Sequence, residues 1–456
     1  MKKIVILGAG PCGLGAAWRL NELNHKFKIF EKNSYPGGLS ASFLDNKGFT
    51  WDIGGHVIFS HYEYFDKVIE KILKKDFIDH IRASHIRLKN RFIPYPFQNN
   101  IRYLNKIDIL KSVIGLLNNK KINPKNFKEW IQACFGKGIA NLFMYPYNFK
   151  VWTFPLDKMD YKWIGERVSV INKKDTLKNI ILKKKDDTFG PNKTFKFPIK
   201  GGTGEIWGRI SDTIEIKNKI NFNTELIKIN TKKRTLIFNN KQKEKYDFLI
   251  STMPLNYLIK ISDINTEINL ESNSVHVLGM GFKGKIPRIL KDKNWMYFPS
   301  KKSPFYRVTV FSNYSPKNVP ENHWSLMAEV SESRFRKINK QKIKNQIIQG
   351  LINEKLINHE HKKNITNTWY NFQEKNYPIP SLERDGYLKI LSSLKKLNIF
   401  SRGRFGAWKY EIGNQDHSFM QGVEAVNKIL LNREETTLNF PGKINTSKKV
   451  PLKCHI

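Results

Sequence analysis

The sequence predicts an α/β fold in which a parallel-sheet domain, discontinuous along the chain, carries a helical insertion and an antiparallel sheet. Three observations point there. KIVIL runs straight into the glycine turn GAGPCG; a second apolar strand ends on an acid, Glu31; and polar and apolar residues alternate between about 270 and 330. The 456 residues exceed what one core fills, roughly 250 to 300, so several packed units are expected. Hydrophobic residues make up 40% and aromatics 12%, well clear of the composition that leaves a chain disordered.

Residues 3 to 7 read as a buried parallel strand. Gly8-Ala9-Gly10-Pro11-Cys12-Gly13 then turns into an amphipathic helix ending near Leu23, and Phe27 to Glu31 forms the second strand. This is the setting a dinucleotide fingerprint requires. Gly8 permits the tight turn, Gly10 lets the backbone approach a pyrophosphate, and Gly13 allows close helix–strand packing, while the helix start holds the phosphate charge. Glu31 is placed to accept hydrogen bonds from ribose hydroxyls.

FAD, not NAD, is argued by the next glycines. Gly37-Gly38, with Leu39 and Ser40 following, and Gly54-Gly55 in WDIGGHVIF supply backbone along which a long cofactor can run. Tyr246 to Leu255 then reads as a strand stopping at a Pro turn, the return of an FAD domain's sheet. The FAD/NAD(P)-binding, Rossmann-like domain is therefore assigned to 1–80, 200–265 and 398–432.

Apolar spacing in IDILKSVIGLL and FKEWIQACFGKGIANLF predicts a helical domain over 100–175. The antiparallel substrate sheet is assigned to 81–99, 176–199 and 266–397, with a Lys-rich helix over 336–363. Residues 433–456 are left as a tail, mobile after Pro441. No internal repeat is present.

No run of about 18 apolar residues appears, and the Met1-Lys2-Lys3 start leads into a segment too short and Gly-rich for a signal core. A cytoplasmic protein without membrane insertion is expected. Cys12, Cys134 and Cys454 show neither disulfide nor metal spacing, and Cys12 is assigned to packing. The formal charge of +39 reads as compositional bias beside abundant Ile and Asn, although a basic surface speeds the arrival of anions. A nonenzymatic nucleic-acid binder is set aside, because no RNA or DNA module appears.

Taken together, GGHVIFSHYEYFD, PYPFQNN, LFMYPYNFKVW, IGERV, FPIKGGTGEIW, WMYFP, PFYRVTVFSNYSP and SRGRFGAWKYEIGNQDHSFMQGVEAV resemble the UDP-galactopyranose mutases. The likeness is to the longer branch typical of eukaryotes and runs from Lys3 to about Asn432. That family lies within the FAD-dependent amine oxidase and protoporphyrinogen oxidase superfamily. The resemblance implies an isomerase that interconverts the pyranose and furanose forms of UDP-galactose. Its FAD is active when reduced: flavin N5 attacks the anomeric carbon, UDP leaves, the sugar ring opens and recloses, and no net redox change occurs. NADPH or NADH is the implied reductant.

Site residues follow by the same resemblance. Arg167 in IGERV and Arg307 in PFYRV match the pyrophosphate-binding arginines, whose guanidinium forks suit phosphate oxygens. His56 matches the histidine against the flavin N5 edge. Tyr95, Gln98, Asn148 and Trp152 match uridine contacts, although Trp152 also suits core packing. Tyr297, Tyr314, Tyr377 and Tyr410 match tyrosines around the phosphates, and Asn192 and Trp295 belong to the sugar pocket. Arg404, Asn414, Gln415 and Ser418 border the flavin ring or its pyrophosphate, and Arg82 and Ser84 are further cofactor contacts. The segment after SNYSP is short, which leaves the oligomeric state open. The alternative class is an FAD oxidoreductase of the amine oxidase or protoporphyrinogen oxidase type, which has no use for the uridine pocket or its arginines.

Overall fold

The computed structural model describes residues 1–119, 122–186, 190, 193–447 and 449–452. Its first strand, Ile4–Leu7, is apolar throughout and buried throughout, and so takes the centre of a sheet with both faces covered. That sheet runs Ile399–Ser401, Phe248–Ser251, Ile4–Leu7, Phe27–Phe30, Ile220–Asn221, all parallel. Its strands come from three distant stretches of chain.

The helix Pro11–Glu22 follows the glycine turn and packs along the late helix Gln415–Leu431. Glycine sets their separation: a Cβ on Gly15 would lie 2.3 Å from the Phe419 carbonyl oxygen. Leu14, Ala17, Leu20, Phe419, Val423 and Val426 fill the space between these helices and the sheet. Closure of the cofactor sheet therefore requires chain more than 400 positions downstream of its first strand.

The second large sheet has seven strands, in the order Ile365–Pro378, Ser272–Lys283, His323–Glu332, Arg307–Val310, Trp295–Tyr297, Ser84–Leu88, Arg91–Pro94. Pairing is antiparallel except between Trp295–Tyr297 and Ser84–Leu88. The alternation read between 270 and 330 falls in its middle strands, while the edge strand Ile365–Pro378 carried no such signal. The single helix expected over 336–363 is two, Ile343–Asn353 and His359–Lys363. Lys355 takes a left-handed backbone, and Asn358 caps a fresh start by accepting the His361 amide at 2.9 Å.

The helical unit joins Lys106–Leu117, Phe127–Ile139 and Tyr145–Trp152 around Phe97, Ile131, Phe135 and Trp163. Among the described residues no helix is long and apolar enough to cross a membrane.

The expected tail is a correction. Thr436–Asn439 and Pro441–Thr446 are helical, Ile444 and Asn445 are buried, and Val450 exchanges backbone hydrogen bonds with His61 and Glu63. Ile444 joins the core of Tyr62 and Phe65, with Val450 and Leu452 packed against it. These few apolar residues, spaced among Lys, Asn and Thr, are enough to seat the segment.

Candidate active site

A groove of ≈ 670 Å³ opens at the carboxyl ends of the parallel strands, where open α/β sheets hold ligands. Gly8, Gly10, Pro11 and Glu31 line it from the first βαβ unit, and Gly38, Leu39 and Ser40 from the second glycine turn. Arg404, Gln415 and Ser418 close the far side. Gly13 does not reach the groove: a Cβ there would lie 1.8 Å from the Gly8 carbonyl oxygen, so its role is helix packing. Around Gly10, by contrast, the nearest atoms to the position of a Cβ among the described residues beyond its own turn of chain are the Gly37 carbonyl oxygen and Gly38 Cα, at 3.9 Å. The closeness demanded at Gly10 belongs to whatever fills the groove.

The donor set fits FAD. Among the described residues no side chain caps the helix start at Gly10, which lines the groove with Pro11 and Cys12 and leaves the helix N-terminus available to a phosphate. Glu31 Oε2 accepts the Ala9 amide at 2.7 Å and Oε1 the Asn33 amide at 2.8 Å, which fixes the carboxylate at the groove wall. Burial raises the Glu31 pKa, against the pull of those two amides.

At the inner end, Gly54 takes φ +106 and turns the chain so that His56 enters the cleft. Burial, with Arg404 and Arg307 close by, pushes the His56 pKa down to about 3, so the ring is neutral at pH 7. Its Nδ1 is buried without a hydrogen-bond partner among the described residues, as a group that meets a cofactor edge would be.

Arg307 is held by Glu329 at both Nε and Nη2, at 2.6 and 2.7 Å. Arg167 and Arg404 differ. Arg167 donates to Asn414 Oδ1 at 3.2 Å and to the Glu411 carbonyl at 2.9 Å, and Arg404 to the Gly413 carbonyl at 2.8 Å. Neither has a carboxylate partner among the described residues. Burial and the Arg167 charge both disfavour the charged form of Arg404. Positive charge is thus left uncompensated in an enclosed cleft, which an anion would stabilise.

Tyrosines surround these cations. Tyr410 lies under Arg167 at 4.7 Å, Tyr377 under Arg404 at 5.7 Å, and Tyr95 under Arg82 at 4.8 Å. Tyr297 contacts the Tyr95 ring at 5.9 Å. Tyr314 and Trp295 pack on Phe195, and the Tyr314 hydroxyl is buried without a partner among the described residues. Ser84 pairs with Trp295 across strands, its buried Oγ also unpartnered among those residues.

Three expected uridine contacts are already engaged within the protein. Gln98 Nε2 donates to the Ser169 carbonyl at 2.6 Å, and Asn148 Nδ2 donates back to the Met144 carbonyl at 2.7 Å. Trp152 is 1% exposed and wedged among Trp163, Tyr377 and Tyr410. Asn192 lies outside the described residues.

Sequence reading missed Glu329, Tyr306, Tyr147 and the buried trio His61, Asp416 and His417. A signal existed for some of them. A glutamate inside an otherwise apolar strand, as in WSLMAEV, has to be paired, and Tyr147 sits in the same YPYNF stretch as Asn148.

A family model for flavin containing amine oxidoreductases matches residues 11–369. Curated relatives match locally. Zeta-carotene desaturase of Solanum lycopersicum is 33% identical over 70 residues, 15% of this chain and 12% of its own length. A 4,4'-diapophytoene desaturase of Staphylococcus aureus is 35% identical over 85 residues, 19% and 16% respectively. Among solved structures, a putative protoporphyrinogen oxidase from Exiguobacterium sp. 255-15 shares the fold, with TM-score 0.72 at 15% identity over 95% of this chain and 99% of that one. A reduced UDP-galactopyranose mutase superposes with TM-score 0.96 at 43% identity, covering 99% of each chain.

The groove, its glycine turn and the family match define a flavin enzyme of the amine oxidoreductase class, with FAD as cofactor. Identity over almost the whole length narrows the class: the chain belongs to the UDP-galactopyranose mutases.

Proposed function

We propose that the chain interconverts UDP-galactopyranose and UDP-galactofuranose. One observation carries the reading: Arg404 lines the groove with Arg167 close to it, neither with a carboxylate partner among the described residues, and Arg307 is held on its Glu329 anchor. A sugar nucleotide's pyrophosphate matches that charge, and an amine or apolar substrate does not.

Bound here in reduced form, FAD supplies the nucleophilic nitrogen for exchange at the anomeric carbon. The protein supplies the rest. Arg167 and Arg307 take the pyrophosphate oxygens and stabilise the charge that builds on UDP as it leaves. Glu329 holds Arg307 in one orientation, so little reorganisation is needed as that charge develops. Neutral His56, with Nδ1 uncommitted, offers a hydrogen bond to the cofactor edge. Tyr297, Tyr314, Tyr377 and Tyr410 ring the phosphates with hydroxyl donors, and Trp295 bounds the sugar. Tyr95, Gln98, Asn148 and Trp152 form the uridine side. Gln98 and Asn148 each give one N–H to a backbone carbonyl, which orients the amide, and keep the side-chain oxygen and the second N–H for the uridine. The enclosing rings keep water from the open sugar.

NADPH or NADH loads the flavin, and the protein works in the cytoplasm; the mutase likeness and the free Cys12 and Cys134 support these two readings.

The test is to supply UDP-galactofuranose to reduced protein under nitrogen and follow products by chromatography, beside air-saturated oxidised protein given the same substrate in an oxygen electrode. Formation of UDP-galactopyranose without oxygen demand supports a mutase. Oxygen consumption linked to substrate, with no change of ring form, would favour an oxidase.

A further inference from the structure

Asn445 sits on the helix Pro441–Thr446 and is 4% exposed. Its Nδ2 donates at 3.0 Å to the Glu411 carbonyl, the same oxygen that accepts Arg167 Nη2 at 2.9 Å. A carbonyl only accepts, so the amide orientation is fixed: the NH2 faces Glu411 and Oδ1 faces the other way. Oδ1 lies 3.0 Å from His417 Nε2. An acceptor at that distance requires the proton on Nε2, which selects one tautomer of His417.

The consequences run on to the cleft. His417 Nδ1 lies 3.2 Å from Asp416 Oδ1 without hydrogen-bonding to it, and burial lowers the His417 pKa against the pull of the Asp416 charge. The other Asp416 oxygen receives the His61 ring at 2.7 Å and the His61 amide at 3.1 Å. The two imidazoles lie 4.6 Å apart. His61, Asp416 and His417 are all 2% exposed or less. Asp416 and His417 open the same helix as Gln415, and Asn414 before them accepts Arg167 Nη1. One side chain from the last segment of the chain therefore braces both rests of Arg167, the Glu411 carbonyl directly and the Asn414 turn through His417.

We propose that Asn445 is a positioning residue of the mutase site, holding Arg167 in register for the pyrophosphate through the Glu411 carbonyl they share. The inference rests on the mutase reading above.

The test uses the full-length holoenzyme with reduced FAD. Asn445→Ala should raise KM for UDP-galactofuranose, and Kd for UDP by calorimetry, roughly five- to tenfold, with a smaller effect on kcat. Ile444→Val is the packing control: Ile444 is 3% exposed and packs into the core of Tyr62 and Phe65, so its variant should lower Tm and leave KM alone. Asn445→Asp, close to isosteric, keeps the acceptor toward His417 but sets an oxygen against the Glu411 carbonyl, and should raise KM even where the alanine variant folds poorly. In an Arg167→Lys background, Asn445→Ala should add less than about a twofold further change, because the two act as one unit. Wild-type KM in both Asn445 variants, or a KM increase that multiplies with that of Arg167→Lys, overturns the inference. A wild type that neither converts UDP-galactofuranose nor binds UDP overturns the mutase reading as well.

Discussion

Glu329 meets Arg307 with both carboxylate oxygens, and the same carboxylate accepts the Gly55 amide at 3.1 Å and the Tyr306 hydroxyl at 2.7 Å. One buried acid thus ties the platform sheet to the glycine turn that presents His56. Burial alone would raise its pKa, but Arg307, Tyr306 and Gly55 together hold it below the usual carboxylate range. Glu329→Gln leaves Arg307 buried without its counter-charge. We expect a loss of about 3–5 kcal/mol in denaturant unfolding, together with a raised KM for UDP-galactofuranose. Unchanged stability would show that the pair is not the anchor described.

The two inner glycines of the first turn should fail in different ways. Gly13→Ala drives a Cβ into the Gly8 carbonyl and should destabilise the fold with or without cofactor. Gly10→Ala meets, among the described residues beyond its own turn of chain, no atom nearer than 3.9 Å, so the apoprotein should melt like wild type while FAD content after purification falls sharply. Apoprotein Tm and flavin absorbance of both variants decide it. A destabilised apoprotein in Gly10→Ala would place the close contact within the chain.

Arg167 rests on a carbonyl and an amide oxygen, so removing it orphans no buried carboxylate. Arg167→Ala should fold with near-wild-type Tm yet lose tenfold or more in UDP affinity, about 1.4 kcal/mol or above. Arg167→Lys should recover only part, because one ammonium cannot repeat the fork. Calorimetric titration with UDP reads both.

Lys150 supplies a pH prediction. It lies on the helix that carries Asn148 and Trp152, and its Nζ donates to the Ser300 and Ser303 carbonyls at 2.8 and 2.9 Å. Burial, with Arg336 adding, lowers its pKa to about 7. The unfolded value is about 10.4, so between those pH values the unfolded chain binds the extra proton and stability rises with pH. The gain, on the order of a few kcal/mol from this residue, levels off above pH 10 or so. Lys150→Met should flatten that slope in urea unfolding from pH 7 to 10. An unaltered slope would mean the amine is not buried in this way.

The parts of the site legible in the sequence were those whose chemistry is local. Gly8, Gly10, Gly13 and Glu31 stand within one βαβ unit, and strand, turn and acid can be read as a set. Arg167 and Arg307 were legible only through motif likeness, since nothing in their spacing says that one meets the turn at 411–414 and the other a strand partner. Glu329 was missed because its partner is set by sheet register, Arg307 lying opposite it across antiparallel strands. The closing segment was misread for a related reason. Polar and charged residues are scattered through it without a helical or strand period, whereas Ile444, Asn445 and Val450 decide where it goes, and their partners lie at Tyr62, Glu411 and His61. Gln98 and Asn148, expected to match uridine contacts, each give one amide N–H to a backbone carbonyl, a partner that sequence does not show.

The central claim is that the cleft performs ring interconversion with FAD in its reduced state. The most direct measurement sets dithionite-reduced and air-oxidised protein side by side with UDP-galactofuranose under nitrogen, with UDP-galactopyranose quantified by chromatography. The account predicts conversion in the reduced sample alone. Equal conversion in both samples, or none in either with FAD bound and the protein folded, would contradict it.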